Sequence, residues 1–205
     1  MPASMSSAEP RPDTLPDARH TYIALLRGIN VGGRTIIKMD DLRAQFEAIG
    51  LADVVTYIQT GNVVFSSQEA STERLARLLE EQLASGLGYA GTVFVLTPSE
   101  LKEAADANPF DPERHDREQL CHVMFLSREP DPARRDPLMA LQGDEYRFAV
   151  RDRVLYYAYP RARAGARRTI DFEKVLGVVG TARTWKVVAR LVELSEATAS
   201  RRPEP

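Results

Sequence analysis

The chain has 205 residues, of which 43% are hydrophobic and 27% charged, with a formal net charge of −2. That balance excludes a disordered or low-complexity class. One cysteine excludes an internal disulfide framework, and no apolar run approaches the roughly 20 residues that span a bilayer. The length suits one domain or two small fused ones. The lone Cys121 and the absence of an apolar leader predict a cytoplasmic protein without a signal peptide.

In chain order, residues 1–20 carry prolines and little apolar content, so they read as a disordered extension. Residues 22–29 read as a strand apolar on both faces, which suits a central position in a sheet. Met39, Leu42, Phe46 and Ile49 then fall at helical spacing, with Asp40 and Asp41 in the first turn and Gly50 as the stop. VVTYIQTGNVVFSS is a hairpin pattern turning through Thr60, Gly61 and Asn62. A helix with Leu75, Leu78, Leu79 and Leu83 on its buried side and a strand from Thr92 to Leu96 complete a βαββαβ order. Thr97-Pro98-Ser99-Glu100 then opens a helix with a capping box, and this helix ends ahead of Asn108-Pro109.

The second half repeats the theme loosely. It has a strand at 119–127, a helix from Asp131-Pro132, and a hairpin turning at Arg151-Asp152. A short helix near 170–177 and a long one from Thr181 to about Ala197 follow. The predicted fold class is therefore α+β, with two related ferredoxin-like (split βαβ) halves and helices packed on mixed or antiparallel sheets. The predicted boundaries are 21–108 for the βαββαβ half with its following helix, 109–198 for a βαββα half ending in a long helix, and 199–205 for a disordered tail.

The topology points to a candidate site. In a βαββαβ unit the first two strands run the same way, so the Arg27–Arg34 loop and the Gln59–Asn62 hairpin leave the sheet at one edge. Arg27, Gly28, Asn30, Gly32, Gly33, Lys38, Gln59, Gly61 and Asn62 should gather on that rim. Arg27 offers a planar charge for a carboxylate or phosphate, and the glycines can turn amides toward an anion. The spacing matches neither of the usual glycine-rich phosphate fingerprints, and Asp40 and Asp41 already occupy the helix start that a phosphate would seek. The plain alternative is a glycine-rich connection in which Asn30 bonds local backbone.

YIALLRGINVGG, IKMDDLR and TYIQTGNVVFSS, with the later Asn108-Pro109-Phe110, LCHVMFLS and TARTWKVVARLVEL, resemble the domain of unknown function 1697 family over roughly residues 21–195. The resemblance implies a soluble, mostly bacterial α+β protein of two related halves, and it implies no activity. Its motif residues here are Arg27, Gly28, Asn30, Gly32, Gly33, Lys38, Gln59, Gly61 and Asn62, then Arg183 and Trp185. The chain departs from the pattern at Thr184 and Lys186, where asparagines are commoner. It also departs at Gly165–Ile170, where the family usually has a Gly-Arg-Ser-Lys-Leu-like stretch.

Charge is distributed unevenly. Residues 1–145 carry a net −9 and residues 146–205 a net +7. On a helix from Thr181, Arg183, Lys186 and Arg190 would form one basic stripe. With Arg161, Arg163, Arg167 and Arg168 this stripe makes a nucleic-acid or anion contact conceivable, although a solvated face is the commoner meaning. Cys121 and His122 are strand neighbours on opposite faces and form no dyad. Three scattered histidines and one cysteine give no metal spacing, and no cofactor fingerprint is present. The leading reading is a binding protein for a small anionic ligand or a partner at the rim. Nucleic-acid binding through the basic C-terminal third is an alternative, and an enzyme of unassigned class using the same rim is another. Oligomeric state is not legible.

Overall fold

A computed structural model describes residues 19–30, 36–110, 118–143, 146–163 and 170–201. Its first half runs β1 (His20–Leu26), α1 (Met39–Ala48), β2 (Ala52–Tyr57), β3 (Asn62–Ser67), α2 (Thr72–Leu87), β4 (Val93–Leu96) and α3 (Pro98–Asp106). The second runs β5 (Gln119–Leu126), α4 (Pro132–Met139), β6 (Arg147–Arg151), β7 (Val154–Pro160), α5 (Phe172–Leu176), β8 (Gly180–Thr184) and α6 (Trp185–Ser200). Each half builds a four-stranded sheet, in the orders β2-β3-β1-β4 and β6-β7-β5-β8, and every strand pair is antiparallel. β1 and β2 both oppose β3, so they run in the same direction and end at one edge of the first sheet.

Three features differ from the sequence reading. Leu78, expected on the buried side of α2, is 40% exposed, and only Leu75, Leu79 and Leu83 of that set are buried. The first strand stops at Leu26 because Gly28 has φ +74°, outside the extended region. The second half is βαββαβ rather than βαββα, and its long helix begins at Trp185 rather than Thr181. Gly180-Thr-Ala-Arg-Thr pairs along β5, with Thr181 opposite Phe125 and Thr184 opposite His122. A helix over these residues would leave that edge of β5 unpaired. The capping box forms as expected. The Glu100 amide donates to Thr97 Oγ1 at 3.2 Å, and the Thr97 amide donates to Glu100 Oε2 at 2.8 Å.

The apolar residues form three clusters. One lies between the first sheet and α1 and α2, around Phe46, Phe65, Leu75 and Leu79. Another lies between the second sheet and α4 and α5. The third is shared by both halves, where Ile23, Leu25 and Val64 meet Val123, Phe125 and Tyr156, with Leu101 of α3 and Val188 and Leu191 of α6. Both faces of β1 are thus buried, which accounts for its unbroken apolar run. The Tyr156 hydroxyl donates to the Ala104 carbonyl at 2.7 Å and ties β7 to α3 across this shared core.

Candidate functional site

The rim forms where the topology puts it. The Leu26 amide donates to Gly61 O at 2.8 Å, joining the end of β1 to the β2–β3 hairpin. Gly61 has φ +72°, and a Cβ there would stand 2.8 Å from Leu26 Cβ and Ile29 Cδ1, so glycine is required for both conformation and space. Asn30 accepts the Ile37 amide at 2.9 Å and donates to Ile37 O at 3.0 Å and Gln59 O at 2.7 Å. All of its amide hydrogens are engaged, and it pins the base of its loop to the hairpin. Asn62 is fully buried and donates to Tyr57 O and Thr60 Oγ1. The exposed Gln59 side chain lies on the hairpin, and Lys38 sits exposed at the start of α1. Gly28 also reaches the rim, with open space where a Cβ would sit. Gly32 and Gly33 lie outside the described residues.

The second half completes the rim, which the sequence could not indicate. Arg183 projects from β8, 7% exposed, into the first half. Its Nη2 donates to Leu26 O at 2.9 Å, Thr60 O at 3.1 Å and Gly61 O at 3.3 Å, and its Nε donates to Asn62 Oδ1. Nη1 bonds Thr181 Oγ1 at 2.7 Å and Ala182 O at 2.8 Å. Every one of these acceptors is neutral. Burial lowers the guanidinium pKa to about 10, so it stays charged at neutral pH. Arg183 is therefore a buried strand cation and not a member of an exposed helical stripe.

Arg27 is also engaged by the second half. Its Nε and Nη2 donate to the two carboxylate oxygens of Glu173 at 2.8 and 2.6 Å, a forked pair. Glu173 in addition accepts the Gly180 amide at 2.9 Å. Partial burial raises the Glu173 pKa, but the Arg27 and Gly180 hydrogen bonds outweigh it and hold the carboxyl below its ordinary value. The hydrogen bond to Glu173 raises Arg27 in turn. The Tyr89 hydroxyl donates to Arg27 O at 2.8 Å, and burial pushes its phenol up to about 12.

Between these groups lies a cleft of about 390 Å³, lined by Arg27, Gly28, Ile58 and Thr60 from the first half. His122, Thr181, Arg183, Thr184 and Val187 line it from the second. Thr184 caps α6 positionally without a side-chain hydrogen bond, and the first turn of α6 carries no acidic residue. The positive end of that helix dipole therefore faces the cleft unopposed by a carboxylate of its own. His122 stacks on Tyr157, with ring centroids 4.7 Å apart and planes 1° from parallel. Sequence reasoning had no use for His122 beyond separating it from Cys121. The separation holds, because Cys121 is buried in the shared core. The signal for His122 was its place one residue from a core position, on the face that β7 supplies with tyrosines.

The remaining basic candidates disperse. Trp185 packs half-buried against the shared core, Lys186 is exposed, and Arg190 pairs with Glu193 at 2.5 Å. Arg161 is exposed on a short turn after β7, while Arg167, Arg168 and the Arg163 side chain lie outside the described residues. Among the described residues no group of three or more His, Cys, Asp or Glu could hold a metal ion. No helix among them is long and apolar enough to cross a membrane.

Residues 19–156 match the model of a family described as protein of unknown function (DUF1697). No curated protein matches the chain. Among solved structures, the chain is similar to the conserved bacterial protein SP0830 from Streptococcus pneumoniae, with a TM-score of 0.67 at 20% identity. The match covers 86% of this chain and 98% of that one, and at this identity it speaks to the fold alone.

Proposed function

The chain belongs to the DUF1697 family, and on that premise we propose that it binds a small anionic ligand in the cleft where its two halves meet. The observation that carries this reading is Arg183, a buried cation beside the cleft whose hydrogen bonds all go to neutral oxygens. Carbonyl dipoles satisfy its donors but leave its full charge uncancelled, and in a poorly hydrated site that charge reaches further than it would in water. The start of α6 adds partial positive charge, and the half-exposed Arg27 lies at the mouth. A carboxylate or phosphate in the cleft would meet Thr184 and the Gly28 backbone and would compete with Glu173 for Arg27.

On this reading residues 21–108 and 109–198 are two ferredoxin-like units in a cytoplasmic protein, and their abutment makes the cleft. The nucleic-acid reading is weaker, since its stripe loses Arg183 to the interior and Arg190 to Glu193.

The test is a thermal-shift screen of inorganic phosphate, nucleotides, sugar phosphates and carboxylates on the wild-type chain and a Thr184→Glu variant. Glutamate at that position suits the helix start but fills the cleft with like charge. A ligand at one hundred times its dissociation constant adds about 2.7 kcal/mol to stability. At least one anion should stabilise the wild type and lose its effect in the variant. If no anion shifts the transition, or the variant responds equally, the reading fails.

A further inference from the structure

A second groove, of about 560 Å³, shares no lining residue with the cleft and runs along the outer edge of β4. The register of the first sheet decides what β4 presents there. The Arg27 amide donates to Thr92 O at 3.0 Å, and these two residues stand opposite one another. Hydrogen-bonded pairs alternate along an antiparallel ladder, so Phe94 and Leu96 also turn their amides and carbonyls toward β1. Val93 and Val95 turn theirs away.

Two of the outward donors on this edge are already filled by side chains. The Val93 amide donates to Glu80 Oε1 at 2.9 Å and the Thr97 amide to Glu100 Oε2 at 2.8 Å. Between them, the Val95 amide and the Val93 and Val95 carbonyls meet no partner among the described residues. They face a groove floored by apolar residues, including Phe125 and Tyr156. The wall on the β4 side carries Glu73, Glu100 and Glu103. The opposite wall holds Arg151, Asp152 and Arg153, and Arg153 reaches across to Glu100 at 3.4 Å.

We propose that this groove takes a short extended segment of a partner polypeptide, which pairs with Val95 as an added strand. An added strand satisfies the three outward backbone groups, and its alternate side chains enter the apolar floor. The lining holds four carboxylates against two arginines, so the segment it fits is apolar with flanking lysine or arginine. The bracketing glutamates limit pairing to a few residues, which sets the segment's register on Val95.

The test uses two fluorescein-labelled peptides, KVTVTVK and EVTVTVE, titrated by fluorescence anisotropy against the full chain. The basic peptide should bind saturably, with the acidic one at least tenfold weaker. Val95→Pro removes an outward donor without breaking a bond to β1, though it also trims a core side chain, and it should weaken the basic peptide at least tenfold. If circular dichroism shows that this variant does not fold, the exposed pair Glu73→Lys with Glu103→Lys decides instead, and the peptide preference should narrow or invert. Absence of saturable binding, equal affinity for both peptides, or an unchanged ranking in the variants overturns the proposal. So does a dimer of the peptide-free chain in sedimentation that Val95→Pro dissolves, because the edge then serves a second copy.

Discussion

Arg27 and Glu173 stand 146 residues apart in the chain and meet as a forked ion pair at 2.6 and 2.8 Å, joining the end of β1 to α5. Both are partly exposed, at 43% and 29% for the side chains, so solvent screens much of their attraction. Exposed pairs contribute about 0.2–1 kcal/mol, and Glu173→Gln should cost no more than about 1 kcal/mol at neutral pH. The Glu173 carboxyl is held below its ordinary value, so its contribution is present above the unfolded pKa of about 4.3 and is lost as pH falls through the folded value. Urea melts of wild type and variant should therefore differ at neutral pH and converge in acid. A gap that persists in acid would mean the variant acts through packing instead.

Arg183 is a different kind of contact, because its removal takes the donor from Leu26 O and Asn62 Oδ1 in the interior and loosens the hairpin at Thr60 O and Gly61 O. Arg183→Met should lower unfolding free energy by about 1–3 kcal/mol in chemical denaturation, the range for leaving buried acceptors without their donor. Arg183→Lys keeps the charge but cannot reproduce the fork, so it should fall between wild type and Arg183→Met. Equal stability of lysine and arginine at this position would show that charge alone matters.

Gly61 and Gly28 both have positive φ but differ in space. Gly28→Ala should cost only the conformational penalty of about 1–2 kcal/mol, since nothing stands within 4 Å of its Cβ position. Gly61→Ala adds overpacking against Leu26 and Ile29 and should cost about 1–3 kcal/mol more. Equilibrium unfolding of the two variants side by side reads the difference directly.

The Tyr156 phenol is raised to about 12 by burial. It stays protonated in the folded chain while the unfolded phenol ionises near pH 10, so its contribution is whole below that pH and is lost as pH rises toward 12. Tyr156→Phe should cost about 1 kcal/mol at neutral pH through the lost bond to Ala104 O. It should also flatten the decline of stability between pH 10 and 12, read from melts at each pH.

The elements with long, clean periods were legible in the sequence. Leu75, Leu79 and Leu83 gave α2, the β-branched and aromatic run Val63-Val64-Phe65 after the turn at Gly61 gave β3, and Thr97 with Glu100 gave the start of α3. The convergence of the Arg27 loop with the Gln59–Asn62 hairpin followed from strand direction alone. β8 was hidden because its five residues run into α6 without a glycine or proline between them, so one helical pattern seemed to cover both. That error carried Arg183 onto a surface it does not occupy. The Arg27–Glu173 pair and the Arg183 network join positions more than 100 residues apart, and no local pattern encodes such a meeting. Asn30 read equally well as ligand donor or loop pin, and its bonds to Ile37 and Gln59 favour the pin.

α6 lies against β1 and β3 as well as β5, and its Val188 and Leu191 share a cluster with Ile23 and Leu25. During synthesis, then, the first sheet emerges from the ribosome with one apolar face covered only in part by α3 and waits for nearly the entire remaining chain before that face is sealed. Such a molecule closes its core with a late, long-range contact, the kind that slows folding and leaves the nascent chain exposed to chaperones and to self-association.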